Sequence, residues 1–256
     1  MSGGGGRTVL VVGIGAGDPG HVTAQAVRAL NEADVFFVLD KGADRDDLAA
    51  LRRQILDRYV ERPSYRVVET PDPPRDLSGP SYGADVGAWH EARADLYERL
   101  LTDDLADDET GAILVWGDPA IYDSTLRILD RVAERGTVAF TVEVVPGISS
   151  VQALAAAHRI PLNRIGEPLT VLPGRRLAEQ PRIDNLVVML DGRAAYTTVD
   201  PAGVTIYWGA YLGTPDEILV SGPLAAVAAE IGEVRAAARA RKGWMFDTYL
   251  LRRAGV

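Results

Sequence analysis

The stretch that most constrains this chain is Trp116-Gly117-Asp118-Pro119-Ala120-Ile121-Tyr122. Ahead of it runs Ala112-Ile113-Leu114-Val115-Trp116, β-rich, apolar and bounded by Gly111 and Gly117, which reads as a buried strand. Pro119 can neither continue a ladder nor donate to it. Gly117 has no Cβ and lets another molecule approach the backbone closely. After two good caps, Asp123 and Ser124, the residues Leu126, Ile128, Leu129 and Val132 recur at helical spacing. A strand end, a small loop and a helix start form the position where open α/β sheets hold ligands. A plain βα turn is the alternative that this stretch alone leaves open.

The same rhythm runs through the first half. Thr8–Val12 is a continuous apolar strand ending in Gly13-Ile14-Gly15-Ala16-Gly17-Asp18-Pro19-Gly20, and Thr23 can cap the helix that follows. Val35–Leu39 is a second strand closing at Asp40; a helix over about Arg45–Tyr59 and a strand at Tyr65–Val68 come next. Alternating strands and helices imply a parallel sheet with right-handed crossovers. Pro71–Gly87 interrupts the rhythm as a long polar loop, the kind that is functional or disordered, before a helix through about Leu101. Val142–Val145 is a fifth strand, ended by Pro146-Gly147-Ile148-Ser149-Ser150, with a helix over Val151–His158.

Beyond Ser149 the pattern shifts. Leu169–Leu172, Leu186–Leu190, Val204–Trp208, Ile218–Val220 and Met245–Leu251 read as five more strands, and Pro223–Arg241 as a helix. Some connections are short enough for antiparallel hairpins. The expectation is an α/β fold of two α/β domains. A parallel-sheet N-terminal domain spans residues 1–148, with residues 1–6 as a flexible leader, and a mixed-sheet C-terminal domain spans residues 149–256. The ligand cleft is expected between them.

Totals narrow the function classes. A chain of 256 residues with 47% hydrophobic and 25% charged content can bury a sizeable core. A net charge of −9 and the lack of a basic stripe argue against a nucleic-acid partner. No apolar run is long enough for a membrane span, and with no signal peptide a cytoplasmic setting is expected. There is no Cys, and the three histidines, His21, His90 and His158, lie far apart, so no metal site is expected.

Three loops carry Gly beside Pro or a small hydroxyl residue: Gly13–Gly20, Trp116–Tyr122 and Pro146–Ser150. In a parallel sheet all three lie on one edge. Gly15-x-Gly17-x-x-Gly20, with Asp40 ending the second strand, matches a dinucleotide fingerprint, so an NAD(P)-dependent oxidoreductase is one alternative. Pro19 stands where that helix should open, which weakens the match. No Walker lysine and no Gly-x-Ser-x-Gly elbow occurs.

VGIGAGDPGHVTAQAVRALNEADVFFV, WGDPAIYDS and VEVVPGISSVQALAA, in this order, resemble the signatures of the tetrapyrrole (uroporphyrinogen/precorrin) methylases, and the resemblance covers Arg7–Leu251. It implies an S-adenosylmethionine-dependent C-methyltransferase of corrin synthesis. SGPSYGADVGAWHEARA and LVVMLDGR look most like the branch that methylates C-1 of precorrin-5 while its acetyl group leaves as acetate. The resemblance places the cofactor, S-adenosyl-L-methionine, on Trp116, Gly117, Asp118, Ile121, Ser149, Ser150, Met189, Leu190, Tyr211 and Leu212, with the last two against the adenine. It points the macrocycle toward Gly15, Ala16, Tyr82, Arg93 and Arg193, since arginines must meet its carboxylates. Arg175 and Arg176 are further candidates. Asp40 and His90 are the candidates for proton handling. A tetrapyrrole substrate, a homodimer and no membrane partner complete the expectation; a methylase-like tetrapyrrole-binding protein without activity is the non-enzymatic alternative.

Overall fold

The computed structural model describes residues 6–40, 46–74 and 82–253. The leader expected at residues 1–6 lies, but for Gly6, outside them. The chain divides into two compact units: Met1–Gly15 with Pro19–Gly147, and Ala16–Asp18 with Ile148–Val256.

In the first unit five strands, β1 (Arg7–Gly13), β2 (Val35–Asp40), β3 (Arg66–Pro71), β4 (Thr110–Val115) and β5 (Phe140–Val145), form one parallel sheet in the order β3-β2-β4-β1-β5. β1 sits between β4 and β5, with Gly13 opposite Val115 and Val12 opposite Val145. Alternate residues of each buried strand face opposite layers. Leu10, Val12, Phe36, Ala112 and Leu114 pack on α1 (Ala24–Glu32) and α2 (Asp46–Tyr59). Val9, Val11, Phe37, Ile113 and Val115 pack on α3 (Tyr82–Asp103) and α4 (Thr125–Arg135). Fully burying a side chain such as Phe36 or Ile128 contributes about 1.5–3 kcal/mol, which is why near-continuous apolar strands and amphipathic helices settle into three layers.

The loops after β1 and β4 therefore leave adjacent strands for helices on opposite faces. That is the switch point at which open sheets leave a crevice. Thr23 caps α1, its Oγ1 accepting the Ala26 N–H at 3.0 Å. At α4 the sequence offered two caps: Asp123 is the one that works, its Oδ1 accepting the Thr125 N–H at 2.7 Å, while Ser124 makes no side-chain cap bond. The long loop was expected to run through Gly87, but helix begins before that, and residues 75–81 lie outside the described residues. α3 starts at Tyr82 and tolerates Gly83 and Gly87 because Ala94, Tyr97, Leu100 and Leu101 anchor its later turns in the core.

In the second unit β6 (Thr170–Pro173), β7 (Asn185–Met189), β8 (Val204–Ala210), β9 (Ile218–Pro223) and β10 (Asp247–Arg253) form a mixed sheet in the order β6-β7-β10-β8-β9. Only β6 and β7 are parallel; the other pairings are antiparallel, including the β8–β9 hairpin. α5 (Ser150–His158) brings Leu154 onto Gly209, and α6 (Leu224–Lys242) packs Leu224, Ile231 and Ala238 into the core around Trp208 and Tyr249. The short segment Ala16–Asp18 belongs here because Gly17 lies against the turn after β8: a Cβ on it would sit 2.5 Å from the Leu212 carbonyl oxygen. No described helix is long and apolar enough to cross a membrane.

Candidate active site

The three glycine loops of the first unit meet. Gly15 and Gly117 form a two-way backbone bridge, the Gly117 N–H donating to Gly15 O at 2.9 Å and the Gly15 N–H to Gly117 O at 3.3 Å. Gly13 and Gly147 touch beneath it. A Cβ on Gly13 would lie 2.6 Å from the Gly147 nitrogen, and one on Gly147 only 2.1 Å from the Gly117 oxygen. No side chain fits at either position. Asp118 locks the arrangement: its Oδ2 accepts the Gly147 N–H and its Oδ1 the Ala120 N–H, both at 2.8 Å. The resemblance placed Asp118 on a cofactor; the geometry engages both its carboxylate oxygens with backbone N–H groups of the loops. Ile121 and Trp116 are half-buried beside it, Trp116 against the α1–α2 layer. Gly15 takes a positive φ of 87°, and Ala16 is buried.

This topology overturns the dinucleotide alternative. That fingerprint needs the acid of the second strand next to the first strand, yet β4 lies between β1 and β2. Two strand spacings of about 4.8 Å thus separate Asp40 from the glycine loop. A short 3-10 turn, Pro19–His21, also delays the helix to Ala24, so no helix N-terminus opens at Gly20.

Asp40 is exposed at the end of β2, its carbonyl accepting the Asp72 N–H at 2.8 Å. His90 is half-buried on α3, its ring 5.4 Å from that of Trp89. Tyr82 heads α3. Arg93 requires a correction. It is 6% exposed, its Nε lies 2.8 Å from Asp72 Oδ1, and its guanidinium stacks 4.7 Å from the Trp89 ring. The two atoms are close but not aligned for a hydrogen bond, so the contact is ionic. A guanidinium neutralised and buried this way is a structural charge, not an open receptor for a substrate carboxylate. Around the pair sits a polar cluster that the sequence did not reveal: Arg52, whose Nε donates to Leu114 O and whose pKa burial pushes down, and Tyr97, whose phenol burial pushes up.

In the second unit Ser149 is a helix cap. Its Oγ accepts the Val151 N–H and Gln152 Oε1 accepts the Ser149 N–H, completing a capping box. Ser150 Oγ accepts the Thr248 hydroxyl at 2.9 Å. β7 ends at the buried Met189, and Leu190 follows at φ 53° with 53% of its surface exposed. Tyr211 is also corrected. Expected against an adenine, it is buried, its hydroxyl donates to Trp244 O at 2.6 Å, and its N–H donates to Phe246 O at 3.1 Å. It builds the turn at φ 49°. Leu212 is likewise buried, over Gly209. Arg193 is exposed, with no ion pair among the described residues.

Behind Leu190 lies a network no local motif announces. Asp191, Arg235, Asp247, Trp208 and Tyr249 are all buried and mutually bonded. Burial pushes the Asp247 carboxyl up to about 6, with the Arg235 guanidinium pulling the other way, and burial together with Asp191 raises the Tyr249 phenol. Among the described residues no cluster of His, Asp or Glu has a metal-holding arrangement.

The sequence model describing tetrapyrrole (corrin/porphyrin) methylases matches residues 8–228. The chain is 52% identical over 249 residues to the precorrin-6A synthase [deacetylating] of Sinorhizobium sp, covering 96% of this chain and 95% of that protein. It is 33% identical over 202 residues to a precorrin-2 C(20)-methyltransferase from Sinorhizobium sp, covering 75% and 77%. Among solved structures, the cobalamin-synthesis-related protein CobF of Corynebacterium diphtheriae superposes with a TM-score of 0.83 at 38% identity, covering 97% and 99%. A uroporphyrin-III C-methyl transferase of Thermus thermophilus, complexed with S-adenyl homocysteine, shares the fold at a TM-score of 0.56 and 22% identity, over 96% of this chain and 92% of that one.

Proposed function

Because the chain belongs to the tetrapyrrole (corrin/porphyrin) methylases, we propose that it is an S-adenosylmethionine-dependent C-methyltransferase of cobalamin biosynthesis, acting on C-1 of precorrin-5 with loss of acetate to give precorrin-6A. The observation that carries this reading is the 52% identity, spread over nearly the whole of both chains, to a deacetylating precorrin-6A synthase. The match spans 96% of this chain, so it does not rest on one loop.

The residues suit such a donor. Leu190 offers an exposed apolar face at a strand tip, and a Cβ on the neighbouring Gly192 would meet nothing within 4 Å, so space is open there. At the Gly13–Gly117–Gly147 tip the backbones pack without side chains between them, which keeps the tip narrow. In the first unit we assign Trp116, Gly117 and Ile121 to the donor, with Asp118 holding their loop. In the second we assign Met189, Leu190 and Ser150, with Ser149 setting the start of α5. When bound, S-adenosylmethionine supplies an already activated methyl group, so the protein's task is alignment with a carbon nucleophile at about 3–3.5 Å. Arg193, exposed at its loop, is assigned to a substrate carboxylate. Asp40 and His90 are assigned to proton handling when water releases the acetyl group. A homodimer and a cytoplasmic setting belong to the same proposal.

Calorimetric titration with S-adenosylhomocysteine tests the donor half of this reading. Saturable binding is expected. A protein that gives neither heat nor a thermal shift contradicts it.

A further inference from the structure

The chain turns into the left-handed region twice just past β7, at Leu190 (φ 53°) and at Ala194 (φ 56°). Neither is glycine, Asn or Asp, and such backbone persists only where its surroundings over-determine it. The determinant is Asp191, which is 4% exposed. Its Oδ1 accepts the Arg193 N–H at 3.0 Å, and its Oδ2 accepts both the Ala195 N–H at 2.7 Å and the Tyr249 hydroxyl at 2.7 Å. Its carbonyl accepts an Arg235 Nη2 hydrogen at 2.8 Å. Arg235 is fixed in turn by Asp247, which also accepts the Trp208 indole N–H at 3.0 Å. A niche is kept for the carboxylate: a Cβ on Gly174 would lie 2.7 Å from the Asp191 Cβ and Cγ. The clamp thus draws on β8, β10, α6 and the 3-10 turn at Gly174–Glu179.

All this apparatus ends in one outcome, the presentation of a half-exposed leucine. Leu190 gains no core burial from it. We propose that Asp191 is a positioning residue for the methyl donor: it clamps residues 190–195 so that Leu190 and its main chain are preset for the nucleoside part of S-adenosylmethionine. The inference rests on the assignment of Leu190 to the donor. Asp191 touches no ligand itself; it acts through the turn, and preorganisation of that turn lowers the ordering cost of binding.

The test is S-adenosylhomocysteine affinity by calorimetry, with a thermal melt for each full-length variant. Asp191→Asn keeps shape but turns one oxygen into a donor, so at least one of the three donors above loses its acceptor. Affinity is expected to fall by about tenfold or more, the scale of an unsatisfied buried donor. Tyr249→Phe removes one hydroxyl and is expected to weaken binding by a few-fold. Ile206→Val, in the same core but away from the turn, should lower Tm and leave affinity within about twofold, because core loosening alone does not move a preset loop. A wild-type affinity in Asp191→Asn overturns the inference; if that variant does not fold, a wild-type affinity in Tyr249→Phe does so. Affinity that falls in step with Tm in all three, Ile206→Val included, also overturns it, since the role is then structural. A wild type that binds no S-adenosylhomocysteine overturns the donor reading and this inference together.

Discussion

At the tips of β1, β4 and β5 the turn is made by leaving side chains out, whereas at the tip of β7 it is made by burying them. Gly13, Gly117 and Gly147 approach so closely that a single methyl group has no room, and one carboxylate, Asp118, ties two of the loops together. Past β7 the backbone is strained and the loop is held by Asp191, backed by Tyr249, Arg235, Asp247 and Trp208. The first device is steric at its centre, with a single carboxylate tying its loops. The second is electrostatic, depends on complete satisfaction of buried polar groups, and carries a titrating member. One fold thus holds two strand-tip turns by mechanisms that fail differently when perturbed.

The sharpest way to break the comparison is Gly147→Ala. Its Cβ would sit 2.1 Å from the Gly117 oxygen. Backbone must move, and overpacking of this kind costs about 3 kcal/mol. A Tm drop with loss of detectable S-adenosylhomocysteine binding is expected by melt and calorimetry; a variant with wild-type affinity would show that the tip does accept side chains. Next comes Asp118→Ala, which leaves the Gly147 and Ala120 N–H groups without their acceptor. About 2 kcal/mol should be lost in urea unfolding. A loss under about 0.5 kcal/mol would mean water replaces the carboxylate.

Asp247 sharpens the other side. Its folded pKa, pushed up to about 6 by burial, lies above the unfolded value near 3.9. Between those values the native state keeps a proton that the unfolded chain has lost. Stability from this group is therefore fully present below about pH 4 and is lost as pH rises through about 6. Relative to Asp247→Asn, which does not titrate, the wild type should lose on the order of 2 kcal/mol between pH 4 and pH 7. Parallel stability curves for the two proteins would remove the electrostatic half of the contrast. The smallest effect is expected from Ser149→Ala, which deletes the cap of α5 for about 1 kcal/mol. Donor affinity lost far beyond that stability change would move Ser149 from capping to ligand contact.

This contrast also explains what could be read from the chain itself. The first device is written locally. An apolar run stopping at Gly-Asp-Pro, and a short β-rich one stopping at Pro-Gly, are visible without coordinates, and so is the alternation that makes the sheet parallel. The second device is not local. Asp191 meets Tyr249 across 58 positions and Arg235 across 44, so nothing near LVVMLDGR marks its carboxylate as buried. The burial of Arg93 is hidden for the same reason: its partner Asp72 stands just past β3, far from it along the chain. Tyr211 was misread because its burial depends on Trp244 and Phe246, which arrive only after α6. Strand order was equally hidden. The insertion of β4 between β1 and β2 is a matter of crossover, and with the 3-10 turn at Pro19–His21 it removed the dinucleotide alternative.

The most direct measurement is mass spectrometry of the tetrapyrrole recovered after incubating the purified protein with precorrin-5 and S-adenosylmethionine. The account predicts a product that has gained one methyl group and lost one acetyl group, with acetate and S-adenosylhomocysteine formed alongside. A macrocycle recovered unchanged, or methylated with its acetyl group intact, would contradict it.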